Sequence, residues 1–351
     1  MPNDPNDAHW LAAAARLAAR GRPLSRPNPA VGCIVVQQGK VVGRGWTQPG
    51  GRPHAEAVAL AEAGDAARGA TLYVTLEPCA HRSERGPACA DLIAEAGPAR
   101  VVVGVGDPDA RTAGRGIERL RENGIAVEAL GCPASRASLA GYLTRAERHR
   151  PHVTLKLATS LDGCIATPAG ESRWITGEAA RAHVHSRRAL ADAILVGGET
   201  WRADAPRLDV RLPGLEARSP QRVVLTRGVA PEGARAISAP EHIARLDGVQ
   251  YLYVEGGART AAAFLAADLV DRLELYRAPI VIGGGTPALG DIGLGSLDEA
   301  HGRWDLAERR QLGSDTFEAY ERAGTRVETQ TGRGRDGADF GARLGARRER
   351  W

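Results

Sequence analysis

Thr71-Leu72-Tyr73-Val74-Thr75-Leu76-Glu77-Pro78-Cys79 is six residues of strand-forming character that stop at a Glu-Pro pair and a cysteine. Pro78 suits the first position of a helical turn. Cys79 is therefore expected at a helix N-terminus, where the dipole favours the thiolate. Working outward, residues 8–20 read as a helix, with Asp7 as candidate N-cap and Gly21 just past its end. Residues 31–37 and 40–45 read as strands around a Gln-Gly turn, and 54–63 as a helix. Beyond Cys79 follow a helix at 87–96, a strand at 101–105, a helix at 116–123 and a strand at 126–129. Strands alternating with helices predict an α/β layered sheet.

The charged run Arg145 to Arg150, then Pro151, marks a domain boundary, giving a first domain at 1–148 and a second at 149–323. In the second, strands are expected at 152–159, 193–197, 222–226, 250–254 and 272–282, with helices at 178–190 and 258–267. From Gly324 to Trp351 the chain is rich in Gly and Arg and poor in apolar residues, which predicts a disordered tail.

Composition bounds the function. The 351 residues are 43% hydrophobic and 25% charged, an ordinary globular balance that excludes wholesale disorder. No apolar run reaches the ~18–20 residues of a membrane span, and Arg16 and Arg20 interrupt the N-terminal Ala-rich stretch, against a signal peptide. A cytoplasmic protein with no membrane partner is expected. Net charge is +4, and seven arginines after Gly324 supply much of it, so a basic nucleic-acid-binding face is not expected. Five cysteines in a chain this long do not suggest a secreted disulfide scaffold. Cys33 and Cys164 sit in apolar strand contexts and read as small core residues, while Cys132 has no evident partner.

His54-Ala55-Glu56 opens a predicted helix, and Cys79 and Cys89 lie near the starts of two more. One imidazole and two thiolates suit Zn²⁺, and three protein ligands leave a fourth position for water, acidified to a pKa of roughly 7. Glu56, not itself a ligand, is placed to carry a proton from water to a leaving amine. His-x-Glu followed by Pro-Cys-x-x-Cys is the pattern of zinc nucleobase deaminases; here nine residues separate the cysteines. His81 is an alternative fourth protein ligand, which would make the zinc structural.

At these residues the chain resembles the bifunctional riboflavin-biosynthesis deaminase–reductases. The resemblance rests on Pro27-Asn28-Pro29-Ala30-Val31-Gly32, His54-Ala55-Glu56 and Thr75-Leu76-Glu77-Pro78-Cys79-Ala80-His81. It continues through Lys156-Leu157-Ala158-Thr159-Ser160-Leu161-Asp162-Gly163 and Gly170-Glu171-Ser172-Arg173-Trp174-Ile175-Thr176. It implies a cytidine-deaminase-like three-layer domain followed by a dihydrofolate-reductase-like α/β domain. It also implies deamination of a diaminopyrimidinone carrying a phosphoribosylamino group, then NADPH-dependent reduction of the ribosyl group to ribityl. Carried onto this chain, His54, Cys79 and Cys89 bind zinc, Glu56 shuttles the proton, and Asn28 and His81 line the deaminase pocket.

Hydride chemistry belongs to the cofactor, so the protein supplies phosphate binding and orientation. The strand at 250–254 ends in Glu255-Gly256-Gly257 before a helix, a start that can cradle an anion. The resemblance matches Ala158, Trp174, Thr200, Asp204, Gly257, Ala258, Arg259 and Thr260 to NADP contacts. Ser172, Arg188, Leu208, Arg211 and Glu255 match contacts to the phosphorylated substrate. Arg188 and Arg211 suit phosphate because a planar guanidinium binds it in two-pronged fashion. For Trp174 the competing reading is a simple core residue. Ala205 replaces the second acid of the family's Asp-Asp-Pro, and Thr226-Arg227 replaces Asp-Ser. Residues 228–249 are shorter than the family's connection, as though a strand–helix unit were missing.

Three readings stand at this point: the bifunctional enzyme, expected as a homo-oligomer; a deaminase with a degenerate reductase half; and a non-enzymatic zinc-stabilised RNA-binding module.

Overall fold

The computed structural model describes residues 4–81 and 84–324. Apart from Gly324, the expected disordered tail lies outside the described residues. In chain order the first half holds α1 (Asp7–Ala18), β1 (Gly32–Gln37), β2 (Lys40–Trp46), α2 (Ala55–Ala63), β3 (Thr71–Leu76) and α3 (Cys89–Ala96). Then come β4 (Arg100–Val105), α4 (Arg115–Glu122), β5 (Ala126–Ala129), α5 (Pro133–Ser138) and α6 (Ala140–Arg148). The strands form one sheet in the order β2-β1-β3-β4-β5. Pairing is antiparallel between β2, β1 and β3 and parallel from β3 to β5.

The period-two alternation of strand side chains sorts this sheet's residues between two cores. Cys33, Val35, Leu72, Val74, Val101 and Val103 pack with Ala55, Ala59, Ile93 and Leu120 on the α2–α3–α4 face. Ile34, Val36, Tyr73 and Val102 pack with Leu11 and Ala14 of α1 on the other face. The result is a three-layer α/β/α domain. The alanine face of α2 lies directly on β2, since a Cβ at Gly43 would meet the Ala59 carbonyl oxygen at 2.1 Å and one at Gly45 that of Ala55 at 2.0 Å. That close approach sets the position of the N-terminus of α2, which carries His54 and Glu56.

Asp7 departs from its expected role. The N-cap of α1 is Asn6, and Asp7 is buried, accepting a hydrogen bond from Tyr73 (2.9 Å) and pairing with Arg100 (2.7 Å). A buried acid needs a partner more than a helix end needs a cap.

The second half adds β6 (His152–Thr159), β7 (Cys164–Ala166), α7 (Glu178–Arg188), β8 (Ala193–Gly197), α8 (Gly198–Asp204), β9 (Gln221–Leu225) and β10 (Arg235–Ile237). It closes with β11 (Tyr251–Val254), α9 (Ala258–Ala266), β12 (Arg272–Arg277), β13 (Thr286–Pro287), β14 (Trp304–Leu312) and β15 (Asp315–Arg322). Eight strands make the sheet β10-β9-β8-β11-β6-β12-β15-β14, parallel as far as β12 and antiparallel at the last two pairings. Strand β12 stops at Arg277, short of the expected 282, where Ala278-Pro279 removes a ladder donor.

Within 228–249, where a strand–helix unit is expected to be missing, a three-residue strand, β10, pairs in parallel with β9 and is followed by a short 3₁₀ helix at Pro240–Arg245; no helix lies between β9 and β10. Between the halves, α6 ends at Arg148 and β6 begins at His152. Asp271 ties this junction down, pairing with Arg150 (2.6 Å) and Arg148 (3.3 Å).

Candidate functional site

His54 caps α2 from an extended backbone (φ −73°, ψ 164°), so its ring turns away from the helix. Nδ1 lies 3.2 Å from Cys89 Sγ and 3.6 Å from Cys79 Sγ. The three donor atoms all fall within 4.8 Å of one another. On the opposite edge, Nε2 sits 3.0 Å from Asn28 Nδ2, which also donates to the Gly51 carbonyl at 3.1 Å. Gly51 has φ +85°, and a Cβ there would meet Asn28 Cγ at 2.6 Å, so glycine is needed for Asn28 to fit.

Cys79 does not start a helical turn. Residues 77–80 are irregular, and Cys89, the first residue of α3, donates its backbone N–H to Cys79 Sγ at 3.3 Å. The helix end that acts on Cys79 thus belongs to α3. The Cys79 thiol is pushed down chiefly by a hydrogen bond from the Cys89 thiol, with His54 adding to the effect. The Cys89 thiol is pushed up by that same partnership and by burial. One ring nitrogen beside two cysteine sulfurs is a donor set that fits Zn²⁺, which takes such ligands with release of protons.

Glu56 is 3% exposed, and burial raises its pKa against the pull of His54. Its carboxyl group neighbours the Cys89 side chain but is not among the three clustered donors, which puts it beside the donor set rather than in it. His81 is not part of the metal-ligating cluster found among the described residues. Its Nδ1 is buried with no hydrogen-bond partner.

Sequence reasoning missed the role of Glu77. Its buried carboxylate accepts backbone N–H groups of Gly116 (3.0 Å), Gly114 (3.1 Å), Asp107 (3.3 Å) and Ile117 (3.3 Å), capping α4 from two residues before Cys79. An acid just before Pro-Cys was the only available signal.

In the second half, Glu255 follows β11 and is gripped by Arg188 through Nε (2.6 Å) and Nη2 (3.0 Å), with Lys156 Nζ at 3.6 Å. The remaining Arg188 nitrogen donates to the Asp209 carbonyl at 3.0 Å. The two-pronged contact expected toward phosphate is therefore made to Glu255. Burial alone would raise the Glu255 pKa, but Lys156 and Arg188 hold it at about 2. Lys156, unassigned from the sequence, completes this cluster. Arg211 donates through Nε to His185 Nε2 at 3.3 Å, lies 3.6 Å from the Asp209 carboxylate, and lines a cavity of about 350 Å³ with Arg207, Asp209 and Ser219. Leu208, expected beside the substrate, is a buried residue with φ +53°.

Gly257 is the N-cap of α9, with no side-chain cap, which leaves the first-turn N–H groups of Ala258, Arg259 and Thr260 without an intrahelical partner. Thr260 offers only its backbone, because its side chain is packed where a Cβ on Gly197 or Gly256 would fall, at 2.3 and 2.4 Å. Thr200 faces the same turn, with its Oγ1 3.6 Å from a Cβ built on Gly257. Arg259 pairs with Glu199 across it at 2.5 Å. Ser172 and Asp204 line a second cavity of about 300 Å³, where Asp204 pairs with Arg173 at 3.2 Å. Trp174 is 65% exposed, under Arg181 at 5.0 Å, which overturns the core reading. Ala158 lies on β6, in a separate packing cluster from the glycine turn.

Residues 5–105 match the family model of the cytidine and deoxycytidylate deaminase zinc-binding region; residues 151–244 and 237–317 match that of the RibD C-terminal domain. The riboflavin biosynthesis protein RibD of Escherichia coli K12 is 38% identical over 360 residues, covering 88% of this chain and 97% of that protein. Its counterpart in Aquifex aeolicus is 36% identical over 332 residues, covering 84% and 92%. Among solved structures, Acinetobacter baumannii RibD superposes with a TM-score of 0.79 at 32% identity, covering 91% of this chain and 99% of that one. A Thermotoga maritima diaminohydroxyphosphoribosylaminopyrimidine deaminase/5-amino-6-(5-phosphoribosylamino)uracil reductase gives 0.77 at 30% identity, covering 90% and 99%. These likenesses bear out the expected fold, a cytidine-deaminase-like domain followed by a dihydrofolate-reductase-like one.

Proposed function

The chain belongs to the RibD family, with a deaminase half and a reductase half that serve riboflavin biosynthesis, and we propose that it performs two successive steps on one phosphoribosyl pyrimidine. The first is hydrolytic deamination of 2,5-diamino-6-(5-phosphoribosylamino)pyrimidin-4(3H)-one to 5-amino-6-(5-phosphoribosylamino)uracil. The second is NADPH-dependent reduction of the ribosyl to a ribityl group. The observation that carries this reading is the convergence of His54, Cys79 and Cys89 donor atoms beside the buried Glu56.

His54, Cys79 and Cys89 would hold Zn²⁺, and Asn28 steadies the His54 ring from its far edge. When bound, zinc supplies the Lewis acidity that makes water a nucleophile at neutral pH. Glu56 takes up a proton in a desolvated pocket, where its neutral form is favoured, and passes it to the departing amine. In the second half, the uncapped start of α9 at Gly257 suits an NADPH phosphate. NADPH, when bound, supplies the hydride. Arg207 and Arg211 face an open cavity and suit the substrate phosphate, while Glu255 is held ionised by Arg188 and Lys156.

The helix-free link from β9 to β10 favours a second reading, a deaminase with an inactive reductase half. One experiment separates the two. Zinc-loaded protein is incubated with the diaminopyrimidinone substrate, with and without NADPH, and the products are resolved by mass. Ammonia release without NADPH and a ribityl product with it are expected; a reaction that stalls at the ribosylamino uracil would establish the second reading instead.

A homo-oligomer joined through the second half is also proposed. Val281 (72% exposed) and Leu297 (79%) stand on its surface, as does Leu161 at the rim of an apolar cavity of about 560 Å³. Light scattering should give a mass of at least two chains. No described helix is long and apolar enough to cross a membrane. All five cysteines are buried and unpaired, which supports a reducing cytoplasmic compartment.

A further inference from the structure

We infer that the second half completes the deaminase pocket across the domain boundary, with Gln250, oriented by Asp192, as a positioning residue for Asn28. The inference rests on the deaminase reading above. Residues 22–31 form no helix or strand, so their position depends on tethers. Several come from the second half. Arg22 donates to the Leu190 carbonyl (2.8 Å), with its guanidinium 3.3 Å over the Tyr251 ring. Arg26 pairs with Asp192 at 3.1 Å. Gln250 Nε2 donates to the Pro27 carbonyl at 2.9 Å, on the peptide that leads into Asn28.

The tethering groups are themselves fixed. Asp192 is buried at the start of β8, and its other oxygen accepts the backbone N–H of both Gln250 and Tyr251 at 2.8 Å. The starts of two adjacent parallel strands therefore clamp the chain immediately before Asn28. From Gln250 to His54 the path is one hydrogen bond, one peptide unit and the Asn28 side chain. Asn28 meets the ring edge opposite the two sulfurs, and a group packed there fixes how a metal-binding histidine is turned. A loosened Pro27 carbonyl would free Asn28, and the ring would lose that support.

The test uses the full chain. Gln250→Leu keeps the bulk and removes the donor; Asn28→Ala and the double variant complete a cycle. With Gln250→Leu, kcat/KM for deamination should fall roughly tenfold, and chelator competition should give a zinc affinity weaker by a similar factor. Reduction of the deaminated substrate should be unchanged, which reports an intact fold. In the Asn28→Ala background, Gln250→Leu should produce no further loss, because both act on one contact. Losses that multiply in the double variant would overturn the inference, as would unchanged deamination and zinc affinity in Gln250→Leu. Wild-type protein that releases no ammonia would overturn the deaminase reading, and the inference with it.

Discussion

Glu56 is enclosed by protein while standing next to the only His/Cys cluster found among the described residues. Burial favours its protonated form, which suits a group that must collect a proton and then release it. Glu56→Gln preserves size and all three metal donors but cannot carry that proton. Ammonia release should drop by about 10³-fold, with zinc content and reduction of the deaminated substrate unchanged; equal loss of both activities would refute separate sites. Glu255 gives a pH test in the other half. Its folded pKa of about 2 lies below the unfolded value of about 4.3, so its stabilisation is present above that unfolded value and is lost as pH falls toward 2. The urea midpoint difference between wild type and Glu255→Gln should therefore shrink from pH 6 to pH 3; a constant difference would mean that Lys156 and Arg188 do not hold the charge. The cluster of His54, Cys79 and Cys89 was legible because its residue types are rare together and their spacing is chemical. The work of Arg188 was not, since an arginine's partner depends on which loop folds over it.

At the scale of elements, close contact between α2 and β2 depends on two residues without side chains. Gly45→Ala would drive a Cβ against the Ala55 carbonyl, which belongs to the first residue of α2. Rigid backbone meets rigid backbone there, so a cost of about 2–3 kcal/mol is expected. The shift moves His54 and Glu56 together, so urea denaturation should show the destabilisation and chelator competition a weaker zinc affinity. Unaltered zinc affinity in the destabilised variant would mean that the site does not depend on this packing. The central strands were readable because Val, Ile and Leu fill both faces of β4 and β8, and Leu and Val back Tyr73 and Tyr253 across β3 and β11. Strand β14 was not read from the sequence. As an edge strand, it exposes most of its residues from Trp304 to Leu312, so no apolar alternation marks it. Strand β10, with three residues, is too short to leave a pattern. Cys79 was misread as a helix start because Pro78 favours a turn locally, whereas the Glu77 carboxylate holds this segment against the start of α4.

Over the whole molecule, each buried apolar cluster among the described residues stays on its own side of the 149–151 junction, and the Tyr251 ring on Gly141 is packing that crosses between the halves. Directed contacts also join the halves, among them Arg22 on Tyr251 and to the Leu190 carbonyl, Arg26 with Asp192, Gln250 to the Pro27 carbonyl, and Tyr251 to the Ser138 carbonyl at 3.0 Å. Each such hydrogen bond nets only about 1 kcal/mol against water, while a hydrophobic core carries most of a domain's stability. The halves should therefore unfold as separate cooperative units even though the interface positions a loop. Calorimetry of the full chain should resolve two transitions. A ligand that binds only folded protein raises the transition of the unit that holds it. Zinc should then raise one of them and NADPH the other. A single transition raised by both ligands would mean that the polar interface binds the halves into one cooperative unit. Asp271→Ala, which strips the buried Arg150 of its partner at the junction, should lower the NADPH-responsive transition the more, because Asp271 also accepts the Val153 backbone N–H at 2.8 Å within the second sheet.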